Sequence, residues 1–527
     1  MLAIQVITLV LMKLLSGLKM TEKNIGTIFP NLEDFNQLAK TRRVIPVAIQ
    51  LMADTYTPVG LYQTLTENKP ATFLLESAEN GKNWSRYSFI GVSSAAVLRE
   101  ENGKGYWSGK TPKGLLNDKP IWEVITQALD FLKTKAFETL PPLTGGLVGY
   151  LSYDIVRIFE KIPNENPNET KVPDLFFLLT TDFAVLDHSD GTVWLIANAV
   201  NYDGTDERVE EAYSDCLNRI EQMRKKLDSS KALNSLNIAT LPELNYERRT
   251  NSNDYQRSVE KAIEYIEKGD AFQIVLSQRF EIDCSKNGLD VYRILRNSNP
   301  SPYMYYLNFP SKDLKNSEFE IVGSSPEALI SIKNRKALLH PIAGTRPRAK
   351  TEVEDEKLAQ DLLNDEKEKA EHLMLVDLGR NDLGRFCKPG SIEVTQFMQV
   401  EKYSHVMHLV STITGELNES VTVLDALKAT FPAGTLSGAP KVRAMEIIDE
   451  LEPVTRGIYG GALGYFDFAG NMDMAITIRT ALIKDKKAYV QAGAGVVADS
   501  APENEDLECQ NKAAVVLKAI AISNTLD

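Results

Sequence analysis

The chain has 527 residues, of which 43% are hydrophobic and 25% charged, a balance that supplies a large core and excludes a disordered or fibrous protein. Its 72 acidic and 59 basic residues leave a formal charge of -13, which repels polyanions and argues against nucleic acid as a partner. An anionic small substrate would need a locally built cationic site.

Cys216, Cys284, Cys387 and Cys509 show neither CxxC nor His spacing. They indicate no zinc site or disulfide framework, and a reducing cytoplasm is the expected compartment. The opening MLAIQVITLVLMKLLSGLKM is apolar, but Lys13 interrupts it and no small-residue cleavage site follows. It reads as neither a signal peptide nor a spanning helix, so no membrane partner is expected. Residues 1–19 are expected to be an over-called extension before a start at Met20.

From about 40 to 200, β-rich runs such as Thr72-Phe73-Leu74-Leu75 and Thr192-Val193-Trp194-Leu195-Ile196 alternate with Asn, Gly and Lys turns. The charged stretch ERVEEAYSDCLNRIEQMRKKL reads as a helix, and SSKALNSLNIATLPELN as a surface crossing or subdomain joint. The expected division is an N-terminal region, 20–240, and a C-terminal region, 241–527. Next, Tyr255, Val259, Ala262, Ile263 and Ile266 recur at helical spacing, with Ser252 or Asn253 as the N-cap and Gly269 as the stop. FQIVLSQRFEI follows as a strand, and PIAGTRPR reads as a turn crowded with glycine, proline and arginine. Strands and amphipathic helices alternate to the C-terminus, so the fold class is α/β (α+β) with extensive sheet, and the two halves could share one core.

The C-terminal half holds the candidate chemistry. Glu368 and Glu371 lie three apart in a helical pattern, so both carboxylates leave one helix face. His408, in HVMHLVSTITG, could act as acid or base, and equally as a structural histidine. The loop FPAGTLSGAP precedes the helix KVRAMEIIDEL, whose first NH groups suit an anion, but GxxxxGK[ST] is absent and a nucleotide is not supported. Arg479 stands among apolar neighbours in TIRTA, an expected strand, where it could capture a carboxylate or simply face solvent. In YVQAGAGVV, the Gly493-Ala494-Gly495 backbone could approach a carboxylate closely, or form a bulge. Ser500-x-x-Glu503 with Pro502 is a capping-box signature for a last helix, on which Glu505 and Glu508 are three apart and Lys512 lies four beyond. Two such helices could converge on a hard cation such as Mg²⁺; the alternative is two solvated faces. No Ser/His/Asp order or activated cysteine stands out, so covalent catalysis is not expected.

PIAGTRPR, AEHLMLVDLGRNDLGR, HVMHLVSTITGEL, FPAGTLSGAPKVRAMEIIDELEP, RGIYGGALGYF, IRTAL and QAGAGVVADSAPENEDLECQNKA stand in the order found in chorismate-utilising enzymes. Over most of 40–525 the chain resembles the large-subunit family of anthranilate synthases. That resemblance implies a large α/β fold, a β-sandwich core of two sheets with helices outside. It implies Glu371 and Glu508 as principal Mg²⁺ ligands, helped by Glu368 and Glu505, with the metal on the ring carboxylate of chorismate and Lys512 beside it. Arg479, Tyr459 and the backbone of Gly493, Ala494 and Gly495 would hold the enolpyruvyl carboxylate, and Thr435 would sit against the substrate.

In the family's reaction ammonia adds at C2 as the C4 hydroxyl leaves, and pyruvate is then eliminated. Glu327, in GSSPE, matches the general acid for hydroxyl departure, and His408 the histidine of pyruvate elimination. Related aminodeoxychorismate synthases carry a nucleophilic lysine where this chain has Ala343, and isochorismate and salicylate synthases a water-activating lysine where it has Gln273. Anthranilate is therefore the implied product, and an aminodeoxychorismate synthase or an enzyme stopping at the amino intermediate is the alternative. From another class, a catalytically dead tryptophan-sensing protein would lack Mg²⁺-dependent chorismate binding. LLES and NPSPYM resemble the family's tryptophan feedback site, with Glu76, Ser77, Pro302, Tyr303 and Met304 as contacts. The implied partner is a separate glutamine amidotransferase subunit, in a heterotetramer.

Overall fold

A computed structural model describes residues 25–77, 86–229, 236, 242–403 and 406–526. The expected extension at 1–19 and nearly all of the joint expected between 230 and 241 lie outside the described residues. Runs with little polar interruption become the central strands: Leu175–Asp187 and Thr192–Val200 are buried at every position, as strands covered on both faces must be. Among the described residues, 23 strands form one continuous hydrogen-bonded network of antiparallel ladders.

The core lies in layers. One apolar cluster contains only strand and loop side chains, including Phe73, Phe176, Phe183, Tyr305, Phe309 and Phe319, and the rings of Phe309 and Phe319 stack at 4.9 Å. A second cluster packs the helices Pro58–Thr66, Val209–Asp228, Gly288–Ser298 and Pro502–Ser523 onto sheet. A third does the same for Ile121–Phe131, Glu366–Gly384, Val423–Thr430 and Lys441–Leu451. This is the expected sandwich of sheet with helices outside. The halves are stitched by strands: Thr72–Glu76 pairs with Tyr303–Pro310, and Gly146–Leu151 with Ala462–Asp467. No described helix is long and apolar enough to cross a membrane.

Four local expectations are corrected. PIAGTRPR is a strand, Ile342–Pro347, laddered onto Val406–Glu416, and its turn-like composition serves a bulge: register shifts between Ala343 and Thr345, with Gly344 at φ +61. Arg479 is not within a strand; it takes a left-handed φ of 52 between Met472–Ile476 and Thr480–Lys484. The helix Ser252–Glu267 is capped by Asn251, whose side chain accepts from the Asp254 NH. The last helix starts without a side-chain cap, because Ser500 Oγ instead accepts from the Val497 NH at 3.1 Å and closes the preceding turn.

Candidate active site

The helix Glu366–Gly384 begins at Asp365, whose carboxylate accepts from the NH groups of Lys367 and Glu368 and relieves two orphan donors. Glu368 and Glu371 then project one turn apart. Burial, then the charge of Glu368 and more weakly that of Glu508, raises the pKa of Glu371, while Lys367 opposes. The pKa of Glu505 is also raised, by burial first and by Glu508, against a hydrogen bond from Ser500. The carboxylates of the two helices therefore feel one another.

Cationic groups border them. Lys512 Nζ lies 2.6 Å from Glu508 Oε1 and donates to the Gly493 carbonyl at 3.0 Å. Arg479 Nη1 donates to the Lys512 carbonyl at 2.8 Å, and burial lowers its pKa while Tyr459 and Glu508 oppose. Arg479, Asn504, Leu507, Glu508, Asn511 and Lys512 line a cavity of about 370 Å³, a volume suited to a small-molecule ligand.

The strand Gln273–Asp283 forms the adjoining wall by pairing with Lys487–Val496, Ser277 opposite Gly493 and Val275 opposite Gly495. A Cβ on Gly493 would lie 2.6 Å from Tyr459 Oη and 2.8 Å from the Leu276 carbonyl, so only glycine lets the tyrosine hydroxyl reach this backbone. At Gly495 the obstructing atom would be Gln273 Nε2, at 2.5 Å. Ala494 is fully buried between them.

Glu327 follows the strand Ser317–Ser325, and its Oε1 accepts from Thr435 Oγ1 at 3.1 Å. Burial pushes its pKa up to about 7, against that hydrogen bond and the charges of Lys512 and His340. His408 Nδ1 lies 3.0 Å from the Gly344 carbonyl and 3.1 Å from Thr345 Oγ1. A carbonyl only accepts, so the neutral ring carries its proton on Nδ1 and leaves Nε2 as the base. Burial lowers the pKa of His408; the Gly344 carbonyl and Glu401 oppose, and Arg479 adds to the lowering. A Cβ on Gly344 would meet Glu368 Oε2 at 3.0 Å, so the histidine's carbonyl partner adjoins the carboxylate helix. Ala343 is buried in the same strand, opposite Leu409.

The sequence pattern described as chorismate binding enzyme matches residues 58–518. The chain belongs to the chorismate-binding enzymes. The anthranilate synthase component 1 of Mycolicibacterium smegmatis is 53% identical over 94% of this chain and 94% of its own length. That of Aquifex aeolicus is 45% identical over 94% and 98%. Among solved structures, anthranilate synthase component I from Streptococcus pneumoniae has a TM-score of 0.72 at 37% identity, covering 83% of this chain and 93% of that one. The menaquinone-specific isochorismate synthase MenF from Escherichia coli, at 18% identity and a TM-score of 0.67, shares the fold.

On this chorismate-binding fold the residues of the second expected site also lie together. Glu76, Ser77, Pro302, Tyr303 and Met304 line one cleft of about 90 Å³ with Leu75, Phe89 and Tyr465. Ser77 Oγ is buried without a hydrogen-bond partner among the described residues. The Glu76 carboxylate, however, is already held by Arg296 at 2.9 Å and by the Tyr292 hydroxyl. A second carboxylate in the cleft, Asp473, accepts from Tyr303 Oη at 3.1 Å, and burial pushes its pKa up to about 6. Asp473 was missed because MDMAI reads only as a strand. Around the first site, His340 and Glu401 were missed for the same reason. Among the described residues no three His, Cys, Asp or Glu side chains are gathered closely enough to hold a metal ion unaided. A pair of carboxylates completed by water and a substrate oxygen is the arrangement that Mg²⁺ tolerates.

Proposed function

We propose that this chorismate-binding enzyme is the synthase component of an anthranilate synthase: a Mg²⁺-dependent carbon–oxygen lyase of the cytoplasm that makes anthranilate and pyruvate from chorismate and ammonia for tryptophan synthesis. One observation carries the reading. Arg479, Glu508 and Lys512 line one cavity, Lys512 donates to the Gly493 carbonyl, and the charge of Glu508 is felt by Glu371 on the other carboxylate-bearing helix, a set of groups that suits a substrate with two separated carboxylates.

Glu371 and Glu508, with Glu368 and Glu505 directly or through water, would hold Mg²⁺. The partial desolvation of Glu371 and Glu505, and the repulsion that each feels from Glu508, are what a cation relieves. When bound, the ion neutralises the ring carboxylate and helps fix its orientation. Arg479, Tyr459 and the Gly493-to-Gly495 backbone hold the enolpyruvyl carboxylate, and Thr435 orients Glu327. Such a clamp fixes the ring, so positioning supplies much of the rate. Glu327, protonated over much of the neutral range because of its burial, donates to the departing C4 hydroxyl. His408 Nε2 accepts the C2 proton as pyruvate leaves. Neither Ala343 nor Gln273 offers a lysine, so ammonia adds directly and anthranilate is preferred to aminodeoxychorismate or a hydroxylated product. Arg346 and Arg348 are spoken for by Asp361, Asp365 and Asp355, each at 2.8 Å, and brace the bulged strand.

Ammonia would come from a glutamine amidotransferase partner in a heterotetramer, and tryptophan would inhibit through the cleft at Ser77. The reading is tested by incubating the chain alone with chorismate, Mg²⁺ and ammonium while following anthranilate fluorescence and pyruvate. Both products should form and both should stop on chelation. Chorismate loss without pyruvate would favour an enzyme that stops at the amino intermediate.

A further inference from the structure

Several side chains without a role above gather beside His408. The strand Glu393–Lys402 pairs Glu401 directly with His408, and Ile342–Pro347 pairs Thr345 with it from the other side. Directly paired residues share a face with Cβ atoms roughly 4.5–5.5 Å apart, so Thr345, His408 and Glu401 form a row across three strands. The Glu401 carboxylate is fixed from two further directions. Tyr403 Oη donates to its Oε2 at 3.0 Å, and His340 Nε2 lies 3.6 Å from the same oxygen. His340 is itself anchored at Nδ1 by Thr412 Oγ1, 3.0 Å away. The Tyr403 ring meets the His408 ring edge-on, with centroids 5.4 Å apart. One carboxylate thus stands between two imidazoles, on the side of His408 away from Thr345.

We propose that Glu401 is a positioning residue for His408: its carboxylate, oriented by Tyr403 and His340, stabilises the imidazolium that His408 becomes on taking the substrate proton. This rests on the role proposed for His408. In that step Nε2 takes the proton from C2 of the amino intermediate. The C–H electron pair becomes the new C2–C3 double bond and completes the aromatic ring. The C3–O bond breaks with its pair on oxygen, releasing the enolate of pyruvate, which accepts the proton back at carbon. Between those transfers the imidazolium must persist beside Arg479, whose charge disfavours it. Of the groups acting on His408, the Gly344 carbonyl is already bonded at Nδ1, Thr345 and Tyr403 are neutral, Arg479 is unfavourable, and Glu401 is the ionised favourable partner. Glu401 stays ionised while His408 titrates, since the His340 contact, the Tyr403 hydrogen bond and the two histidine charges outweigh its burial and lower its pKa.

The test is Glu401→Gln, which keeps an acceptor for Tyr403 and removes the charge. His408 must be neutral to act, so activity rises with pH through its pKa; removing a negative neighbour lowers that pKa. We expect pyruvate elimination, followed from the supplied amino intermediate so that the protonation of Glu327 does not enter, to fall about tenfold on the alkaline plateau and its acid limb to move down by about half a unit to one unit, the scale of one screened charge at this distance. An unmoved limb, with or without a lower plateau, overturns the proposal. NMR titration of the imidazoles, of which the sequence has five, with His408→Ala to assign the signal, reads the same shift without turnover. If wild type released no pyruvate, the role of His408 in catalysis would fall, while an unchanged His408 titration in the variant would separately sink the influence of Glu401.

Discussion

Glu327 shows what burial does to a single group at this site. With its pKa pushed up to about 7, it can donate a proton only in the acid form, so the competent fraction falls as pH rises through that value. At constant free ammonia, the hydroxyl-departure step should slow on the alkaline side with an apparent pKa near 7. The hydrogen bond from Thr435 favours the carboxylate and lowers the pKa, so Thr435→Val should move this limb to higher pH. Glu327→Gln should cost roughly 10²–10⁴-fold in kcat while chorismate binding persists; a glutamine enzyme at full rate would remove Glu327 from the mechanism. The glycines of the opposite wall separate in the same way. A methyl at Gly493 meets a fixed backbone carbonyl as well as Tyr459, whereas one at Gly495 meets only the end of the Gln273 side chain. Urea unfolding should therefore find Gly493→Ala about 1–3 kcal/mol less stable, an overpacking cost, and Gly495→Ala markedly less affected.

Elements around the site are tied by a buried ion pair rather than by apolar packing alone. Glu452 caps the end of Lys441–Leu451, accepts from the NH and Oγ of Ser277 at 2.8 Å, and meets Arg456 at 2.6 Å. Arg456 also donates to the carbonyls of Leu436 at 2.6 Å and Val275 at 2.7 Å, joining the helix, the Thr435 turn and the strand led by Gln273. Arg456→Met strands the Glu452 charge and should lower stability by about 3–5 kcal/mol in urea unfolding; the double variant with Glu452→Met should recover part of it. None of this was legible in the chain, because Ser277 and Glu452 lie far apart in sequence and meet only through the sheet. What was legible was local: one-turn spacing set Glu368 beside Glu371 and Glu505 beside Glu508, and apolar alternation marked the strands. The fold class followed from that alternation, and the family from the ordered motifs. PIAGTRPR misled because its glycine and prolines imply a turn, while its strand state depends on a ladder to Val406–Glu416. Arg479 misled because its left-handed backbone is imposed between two strands that its apolar neighbours alone would have made continuous. Asp473, Glu401 and His340 carry no local signal; only the register of distant strands brings them to their sites.

At the scale of the molecule, neighbouring strands link the cleft at Ser77 to the candidate active site. The cleft at Ser77 lies where Thr72–Glu76, from the N-terminal half, pairs with Tyr303–Pro310, Met304 opposite Glu76. From there Tyr303 pairs with Ser325, just before Glu327, and Asp473 lies on the strand that runs into Arg479. The cleft measures about 90 Å³, against the roughly 300 Å³ or more of a pocket that encloses a small ligand, so it would have to widen to take the indole amino acid proposed above. Widening it at these strands would displace the segments that carry Glu327 and Arg479. Tryptophan would then inhibit by favouring a conformation with a disordered substrate clamp, and linkage requires chorismate to weaken tryptophan binding by the same factor that tryptophan weakens chorismate binding. Ser77 Oγ, buried and without a partner among the described residues, would accept from the ligand's ammonium. Ser77→Ala should raise the half-inhibiting tryptophan concentration about tenfold, the worth of one hydrogen bond to a charged group. Calorimetric titrations of tryptophan with and without chorismate should give reciprocal shifts. Inhibition that survives Ser77→Ala at unchanged tryptophan concentration, or tryptophan affinity indifferent to chorismate, would place the regulator elsewhere or uncouple this cleft from the strands that lead to the catalytic residues.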